Sequence, residues 1–107
     1  MINTIKRLFG RKQKENFAEL VKTGAQIIDV RTKDEFSKGH IIGSINIPLH
    51  ILKENLSKVK KNTTIITCCA SGMRSAAAKK TLKENGYPDV YNGGGWLSLQ
   101  NKIKSAS

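Results

Sequence analysis

The sequence places one cysteine where a thiol can become reactive. Cys69 follows an apolar run at 64–68 and precedes a short loop that contains one glycine and one arginine. The loop residues are Ala70, Ser71, Gly72, Met73, Arg74 and Ser75. Their backbone amides can form an anion-binding nest, and a helix that begins near Arg74 or Ser75 adds partial positive charge. Cysteines in such places have pKa values of roughly 3.5–7.5 instead of about 8.5. We therefore predict that Cys69 is a thiolate nucleophile and that the loop binds the anionic group which it attacks.

Gly72 and Arg74 are the two loop residues whose types strengthen this interpretation. Glycine suits a backbone position that needs positive φ or a close approach, and Gly72 lies in the middle of the loop. Arg74 adds a full positive charge if its side chain turns toward the thiol. A surface salt bridge is the alternative for this arginine, but its place in the motif favours a role in the site.

The neighbouring Cys68 is predicted to be a small buried hydrophobe, because it continues the apolar strand. The Cα atoms of adjacent residues are about 3.8 Å apart, whereas an ordinary disulfide requires about 4.4–6.8 Å. A structural disulfide between Cys68 and Cys69 is therefore not expected. The other soft ligands, His40 and His50, lack zinc-finger spacing, so neither a metal site nor a cofactor is expected.

The charge of the chain is strongly positive and unevenly distributed. The 107 residues carry a net charge of +11 and are enough for one domain. Residues 1–14 contain five basic side chains and no acid, and we interpret them as a basic N-terminal arm or helix before a domain over 15–107. The apolar residues of this arm fall at helical spacing, so it could pack on the domain, lie on a membrane surface or fray.

Composition also limits the partners of the domain. A basic surface attracts anions, but aromatic residues are few and no zinc-finger or RNA-binding motif is visible, so nucleic acid is not an expected partner. No stretch approaches the ~20 apolar residues that span a bilayer, and the N-terminus lacks the apolar core of a signal peptide. We therefore expect no membrane partner and a cytoplasmic location.

Short helices alternate with short apolar strands along the domain. Helices are predicted at 15–22, 33–38, 49–58, 75–85 and from about residue 96, and strands at 26–30, 44–47, 64–68 and 89–91. Thr32 and Glu35 fit a capping box at the second helix, and Gly86 fits the C′ position of the fourth. The alternation predicts an α/β fold with a central, mostly parallel sheet and helices on both faces. Functional side chains collect at the carboxyl ends of such strands, and both Arg31 and Cys69 follow strands directly.

Three segments resemble the rhodanese family. The loop Cys69-Ala70-Ser71-Gly72-Met73-Arg74-Ser75 is similar to that family's active-site loop, in which Cys-x-x-Gly-x-Arg-Ser is common. The resemblance to the family's longer signature rests on Asp29-Val30-Arg31, Glu35-Phe36, Gly39-His40-Ile41, Gly43 and Asn46-Ile47-Pro48. Gly94-Gly95-Trp96 is similar to the family's closing GGW motif. The matches occur in the family's order and cover about residues 15–102.

The resemblance implies a small rhodanese-like three-layer fold and persulfide formation on Cys69. The sulfur would come from thiosulfate or another donor and pass to cyanide or a thiol. Four residues separate Cys69 from Arg74, whereas phosphatases with a related cradle have five, so the loop suits a sulfane sulfur better than a phosphate. Asp29 and Arg31 match the signature and are expected to support the site through an ion pair or hydrogen bond.

Two functions are compatible with these residues. The first is an enzyme that uses a small sulfur donor and a thiol or cyanide acceptor. The second is a protein-to-protein sulfur carrier or a rhodanese-like binding module with little small-molecule turnover. In the second, the basic surface docks an acidic partner, such as a thioredoxin-like or sulfur-relay protein, through the face of Lys79, Lys80 and Lys83.

Overall fold

A four-stranded parallel sheet lies between helices in the computed structural model, which describes residues 16–105. The strands are β1 (Gln26–Asp29), β2 (Ile45–Asn46), β3 (Ile65–Cys69) and β4 (Val90–Gly95). The helices are α1 (Phe17–Lys22), α2 (Lys33–Ser37), α3 (Met73–Glu84) and α4 (Trp96–Ser105). Two 3₁₀ segments, Leu49–Ile51 and Lys53–Lys58, connect β2 to β3. The strand order is β2-β1-β3-β4 and every pairing is parallel, which confirms the predicted α/β fold.

The sheet buries a separate apolar core on each face. On one face, α3 contributes Ala78 and Leu82 to a core that also contains Cys69. On the other face, α1 and α4 contribute Phe17 and Leu99, and this core contains Cys68. Because side chains alternate along a strand, the two adjacent cysteines point to opposite faces of the sheet. The predicted three-layer arrangement is therefore present, and Cys68 is the buried core residue that the sequence predicts.

The local signals at the helix ends are confirmed. The Thr32 hydroxyl accepts a hydrogen bond from the Glu35 amide, and the Glu35 carboxylate accepts one from the Thr32 amide, which completes the capping box of α2. Gly86 follows α3 with a φ of 92°. The first helix begins at Phe17, because the Asn16 side chain accepts from the Glu19 amide and so caps it.

The prediction of one helix over 49–58 is wrong, since this stretch forms two 3₁₀ segments. Its amides bond to carbonyls three residues back, as in the bonds from Leu52 to Leu49 and from Asn55 to Leu52. Asn55 has non-helical backbone angles, and its side-chain amide donates to the Ile51 carbonyl at 2.8 Å. That side-chain bond replaces the backbone bond that would have continued an α-helix.

The start of α3 and the end of β4 also differ from the sequence prediction. The helix expected from residue 75 begins at Met73, and the strand expected at 89–91 continues through the glycines to Gly95. Glycine permits this extension because β4 approaches β3 closely: a Cβ on Gly93 would lie 2.8 Å from Ile66 Cγ2 and from the Thr67 carbonyl oxygen. A Cβ on Gly95 would lie 2.9 Å from the Ala70 carbonyl oxygen.

The predicted basic arm at 1–14 and the domain start at residue 15 lie outside the described residues. Over 16–105, no helix is long and apolar enough to span a bilayer.

Candidate active site

Cys69 is the last residue of β3, a central strand of the sheet, and its side chain is 1% exposed. The Gly72 amide donates to its Sγ atom at 2.9 Å. Its thiol lies 3.6 Å from the Ser75 hydroxyl oxygen, to which it donates. The sulfur therefore lies inside the loop that the sequence predicts as its cradle.

The loop closes around the sulfur because of two local features. Gly72 has a φ of 110°, a conformation that disfavours residues with a side chain, and so turns the chain directly into α3. No side chain caps this helix. The Ser75 amide in the first turn of α3 and the Ser71 and Gly72 amides just before the helix face Cys69, whose sulfur occupies the place that an N-cap oxygen usually fills.

These contacts favour the ionised form of Cys69. Burial raises the pKa of the Cys69 thiol, but hydrogen bonding with the Ser75 hydroxyl and with three backbone amides lowers it by more. The three amides are those of Ser75, Gly72 and Ser71. The net pKa lies below the ordinary value, so the thiolate fraction at neutral pH is increased.

Cys68 has the opposite electrostatic environment. Burial raises its pKa strongly, and the negative charge of Asp29 raises it further. Asp29 is the register partner of Cys68 on the neighbouring strand β1. Cys68 therefore stays a neutral thiol, and it faces the core opposite to Cys69.

The Arg74 side chain extends toward α2 and forms a bidentate ion pair with Glu35, with N–O distances of 2.8 and 3.0 Å. Hydrogen bonds from Arg74 and then from the Thr32 amide lower the pKa of Glu35 to about 2, so this carboxylate is ionised at neutral pH. Both side chains are about one third exposed. Arg74 thus ties the loop to α2 and keeps part of its guanidinium in solvent.

A cavity of about 250 Å³ opens beside this ion pair. Its lining consists of Val30, Thr32, Pro48, Leu49, His50 and Arg74. The Val30 amide donates to the Cys68 carbonyl, so Val30, the residue directly after β1, is the lateral neighbour of Cys69. The cavity therefore lies next to the strand end that carries the thiol.

Asp29 and Arg31 form a buried brace below the site. Three hydrogen bonds join the Arg31 guanidinium to the Asp29 carboxylate: Nε donates to Oδ1 at 2.9 Å and to Oδ2 at 3.1 Å, and Nη2 donates to Oδ2 at 2.7 Å. Arg31 also donates to the carbonyls of Glu35 and Gly39, and its guanidinium lies 4.6 Å from the Trp96 ring centroid. The pair fastens α2 and the start of α4 to the strand end.

The remaining loop residues are placed at the surface. Ala70 and Ser71 are exposed, and Met73 is 83% exposed. The structure thus brings the Ser71, Gly72 and Ser75 amides to Cys69 and leaves the Asp29–Arg31 brace beside Cys68. Among residues 16–105, no cluster of three or more histidine, cysteine, aspartate or glutamate side chains could hold a metal ion.

Sequence reasoning missed two residues at this site. Glu35 fits a capping box and the family signature in the sequence, but neither identifies it as the partner of Arg74. Asn92 accepts a hydrogen bond from the Ser75 hydroxyl at 2.6 Å and one from the Gly94 amide at 2.9 Å. The sequence signal for Asn92 is a polar residue directly after the strand predicted at 89–91 and directly before three glycines.

Comparison with known proteins gives the family. A model of the rhodanese-like domain matches residues 13–102. The chain is 40% identical over 82 residues to the uncharacterized protein YqhL of Bacillus subtilis, which covers 76% of this chain and 65% of that one. It is 41% identical over 70 residues to the thiosulfate sulfurtransferase PspE of Escherichia coli, which covers 64% of this chain and 67% of that one. The chain thus spans about two thirds of the length of these relatives.

A solved structure supports the same relationship. The structure of a rhodanese with anions from E. coli superposes with a TM-score of 0.66 at 39% identity, over 70% of this chain and 91% of that one. The family model covers most of the chain, and the residues that carry the resemblance lie in the sheet, the loop and the buried brace. The chain therefore belongs to the family of rhodanese-like domains.

Proposed function

We propose that the chain is a sulfurtransferase that moves a sulfane sulfur from thiosulfate or a similar donor to cyanide or a thiol acceptor. Its strongest support is the Gly72 amide, which lies 2.9 Å from the Sγ atom of a buried cysteine at a strand end. An amide so placed stabilises a negative sulfur without any movement of the loop. The relative named thiosulfate sulfurtransferase suggests the same chemistry.

In the first half-reaction, the Cys69 thiolate attacks the outer sulfur of thiosulfate. A new S–S bond forms on Cys69, the S–S bond of thiosulfate breaks, and sulfite leaves with the electron pair of that bond. The Cys69 persulfide carries one negative charge on its terminal sulfur. We expect the amides of Ser71, Gly72 and Ser75, which face the Sγ atom of the free thiol, to stabilise that charge as well.

In the second half-reaction, cyanide or a thiolate attacks the terminal sulfur. Thiocyanate or an organic persulfide leaves, and the Cys69 thiolate is restored with the electron pair of the broken S–S bond. The donor product leaves before the acceptor reacts, so ping-pong kinetics are expected. Each cycle ends with Cys69 in its reduced form, and the reducing conditions of the cytoplasm keep thiols reduced. We therefore propose that the reaction takes place in the cytoplasm.

The loop residues have separate parts in this proposal. Ala70 and Met73 line the mouth of the site, while Ser71, Gly72 and Ser75 surround the sulfur. Arg74 holds the loop through Glu35, and its remaining N–H groups orient the anionic end of the donor. Asp29 and Arg31 support the strand end and take no part in the chemistry.

Intact-protein mass spectrometry tests the mechanism directly. After incubation with thiosulfate, the wild type is expected to gain about one sulfur, ~32 Da, and to lose it when cyanide is added. Cys69→Ala is expected to show no gain under the same conditions. A folded wild type with reduced Cys69 and no adduct would remove thiosulfate as the donor.

We also propose that the acceptor can be an acidic protein of the thioredoxin-like or sulfur-relay kind. Lys79, Lys80 and Lys83 lie on α3, the helix whose first turn forms the cradle, and Lys80 and Lys83 are exposed. The exposed Met73 lies at the start of the same helix. A partner that contacts this face would bring its own thiol close to the mouth of the loop.

Charge reversal separates the protein acceptor from small ones. The double variant Lys80→Glu, Lys83→Glu is expected to slow sulfur transfer to a reduced acidic thioredoxin by about tenfold at low salt, because electrostatic attraction speeds encounter. Thiosulfate-to-cyanide turnover should stay within about twofold, since small substrates need no docking surface. The matched control, Lys22→Glu with Lys102→Glu, changes the same charge on α1 and α4 and should leave both rates unaltered. Equal rates with thioredoxin for both double variants would refute the docking surface.

A further inference from the structure

Asn92 connects the active-site loop to β4 and contacts no reacting atom. Its side-chain oxygen accepts from the Ser75 hydroxyl at 2.6 Å and from the Gly94 amide at 2.9 Å. Its side-chain nitrogen lies 3.5 Å from the Gly72 carbonyl oxygen, toward which it donates. Asn92 therefore holds the hydroxyl nearest to Cys69 and also contacts the residue that turns the loop.

The hydrogen bonds around Ser75 compete for one proton. The Ser75 oxygen lies 2.6 Å from the Asn92 side-chain oxygen, 3.0 Å from the Gly72 carbonyl oxygen and 3.6 Å from Cys69 Sγ. When Cys69 is a thiol, its S–H donates to Ser75 and the Ser75 proton is free to bond Asn92. When Cys69 is a thiolate, the sulfur becomes an acceptor for the same hydroxyl proton, which can make only one strong bond.

We propose that Asn92 is a positioning residue, which directs the Ser75 proton away from Cys69 and so limits how strongly Ser75 stabilises the thiolate. The Gly72 amide, at 2.9 Å, then remains the main fixed donor to the sulfur. The purpose that we give to this role of Asn92 rests on the proposed sulfur transfer. A nucleophile loses intrinsic reactivity as its thiolate becomes more stable, and a thiol that must both take and release sulfur needs an intermediate reactivity.

Two substitutions at Asn92 should shift the Cys69 titration in opposite directions. Asn92→Ala removes the nearer of the two competing acceptors and leaves only the Gly72 carbonyl oxygen at 3.0 Å. The Ser75 proton then bonds the thiolate more often, which should lower the pKa of Cys69 by about half a unit. Asn92→Asp keeps an acceptor for Ser75, makes it stronger and adds a negative charge, so it should raise that pKa by about one unit. The Asn92 side chain is exposed, so neither change leaves a cavity in the core.

The measurement is the rate of Cys69 alkylation by iodoacetamide between pH 5 and 10, in a Cys68→Ala background so that one thiol reacts. Asn101→Asp, on the exposed surface of α4, is the matched control for added charge and should leave the profile unchanged. In a Ser75→Ala background, the effect of Asn92→Ala should disappear, because the proposed action passes through the Ser75 hydroxyl.

A merely structural role predicts a different result. If Asn92 only braced the loop, both Asn92 variants would loosen the Gly72 amide and raise the pKa of Cys69. A rise in both variants, or a shift by Asn92→Ala that persists without the Ser75 hydroxyl, would overturn the proposal. Alkylation does not require sulfur transfer, so opposite shifts combined with no thiosulfate adduct would exclude thiosulfate as the donor and leave the role of Asn92 intact.

Discussion

Replacing Cys69 by serine is expected to lower kcat/KM for transfer of sulfur from thiosulfate to cyanide by about 10⁴-fold or more. Serine keeps the size of the side chain, but its hydroxyl stays protonated near neutral pH and forms no persulfide. The fold should be preserved, because the replacement atom occupies the same place beside the Gly72 amide. Steady-state thiocyanate formation measures the loss, and circular dichroism checks the fold.

Cys68 offers a matched control for this experiment. Cys68→Ala removes a thiol of the same strand, but one that faces the opposite core and has a raised pKa. Turnover by Cys68→Ala should therefore stay within about threefold of the wild type, and any loss should follow reduced stability. Substantial turnover by Cys69→Ser, or a comparable loss in Cys68→Ala, would contradict the assignment of Cys69 as the nucleophile.

The central part of the site could be predicted because its signals are local. Gly72 is the one residue of the loop without a side chain, and the structure gives it the positive φ that this position requires. The order of strand, loop and helix also places free amides near Cys69 without knowledge of the rest of the chain. The prediction failed only on where α3 begins, because the sulfur itself serves as the helix cap and no capping side chain marks the start.

The contacts that complete the site join residues far apart in the chain, and no periodic pattern in the sequence predicts them. Arg74 pairs with Glu35, which is 39 residues away, and Ser75 bonds Asn92, which is 17 residues away. Both depend on how β1, β3 and β4 are ordered in the sheet. Alternation of helices and strands predicts that a parallel sheet forms, but it does not fix which strand ends lie side by side.

Two errors in the fold have the same kind of origin. The last strand is predicted to end at residue 91, before the glycines, whereas these glycines belong to β4 and permit a close approach to β3 that only the packed sheet reveals. The 3₁₀ segments carry apolar residues at a spacing that also fits an α-helix. The side-chain bond from Asn55 to the Ile51 carbonyl decides between the two, and apolar periodicity contains no information about such a bond.

The largest effect on stability is expected from Asp29→Ala. Asp29 is fully buried, and Arg31 is 4% exposed beneath the Trp96 ring. Removing the carboxylate leaves a buried guanidinium without its counter-charge, and breaking a buried pair in this way costs about 3–5 kcal/mol. That loss is a large fraction of the 5–15 kcal/mol typical for a whole domain. Urea unfolding followed by circular dichroism measures it.

A second substitution distinguishes the unpaired charge from a simple cavity. Arg31→Met in the Asp29→Ala background removes the guanidinium and should restore part of the lost stability, since the buried charge then disappears. Asp34→Ala is the surface control: its ion pair with Lys38 is 3.4 Å long and highly exposed, so no measurable change is expected. A loss below about 1 kcal/mol for Asp29→Ala, or a double variant less stable than the single one, would show that the brace does not hold α2 to the strand end.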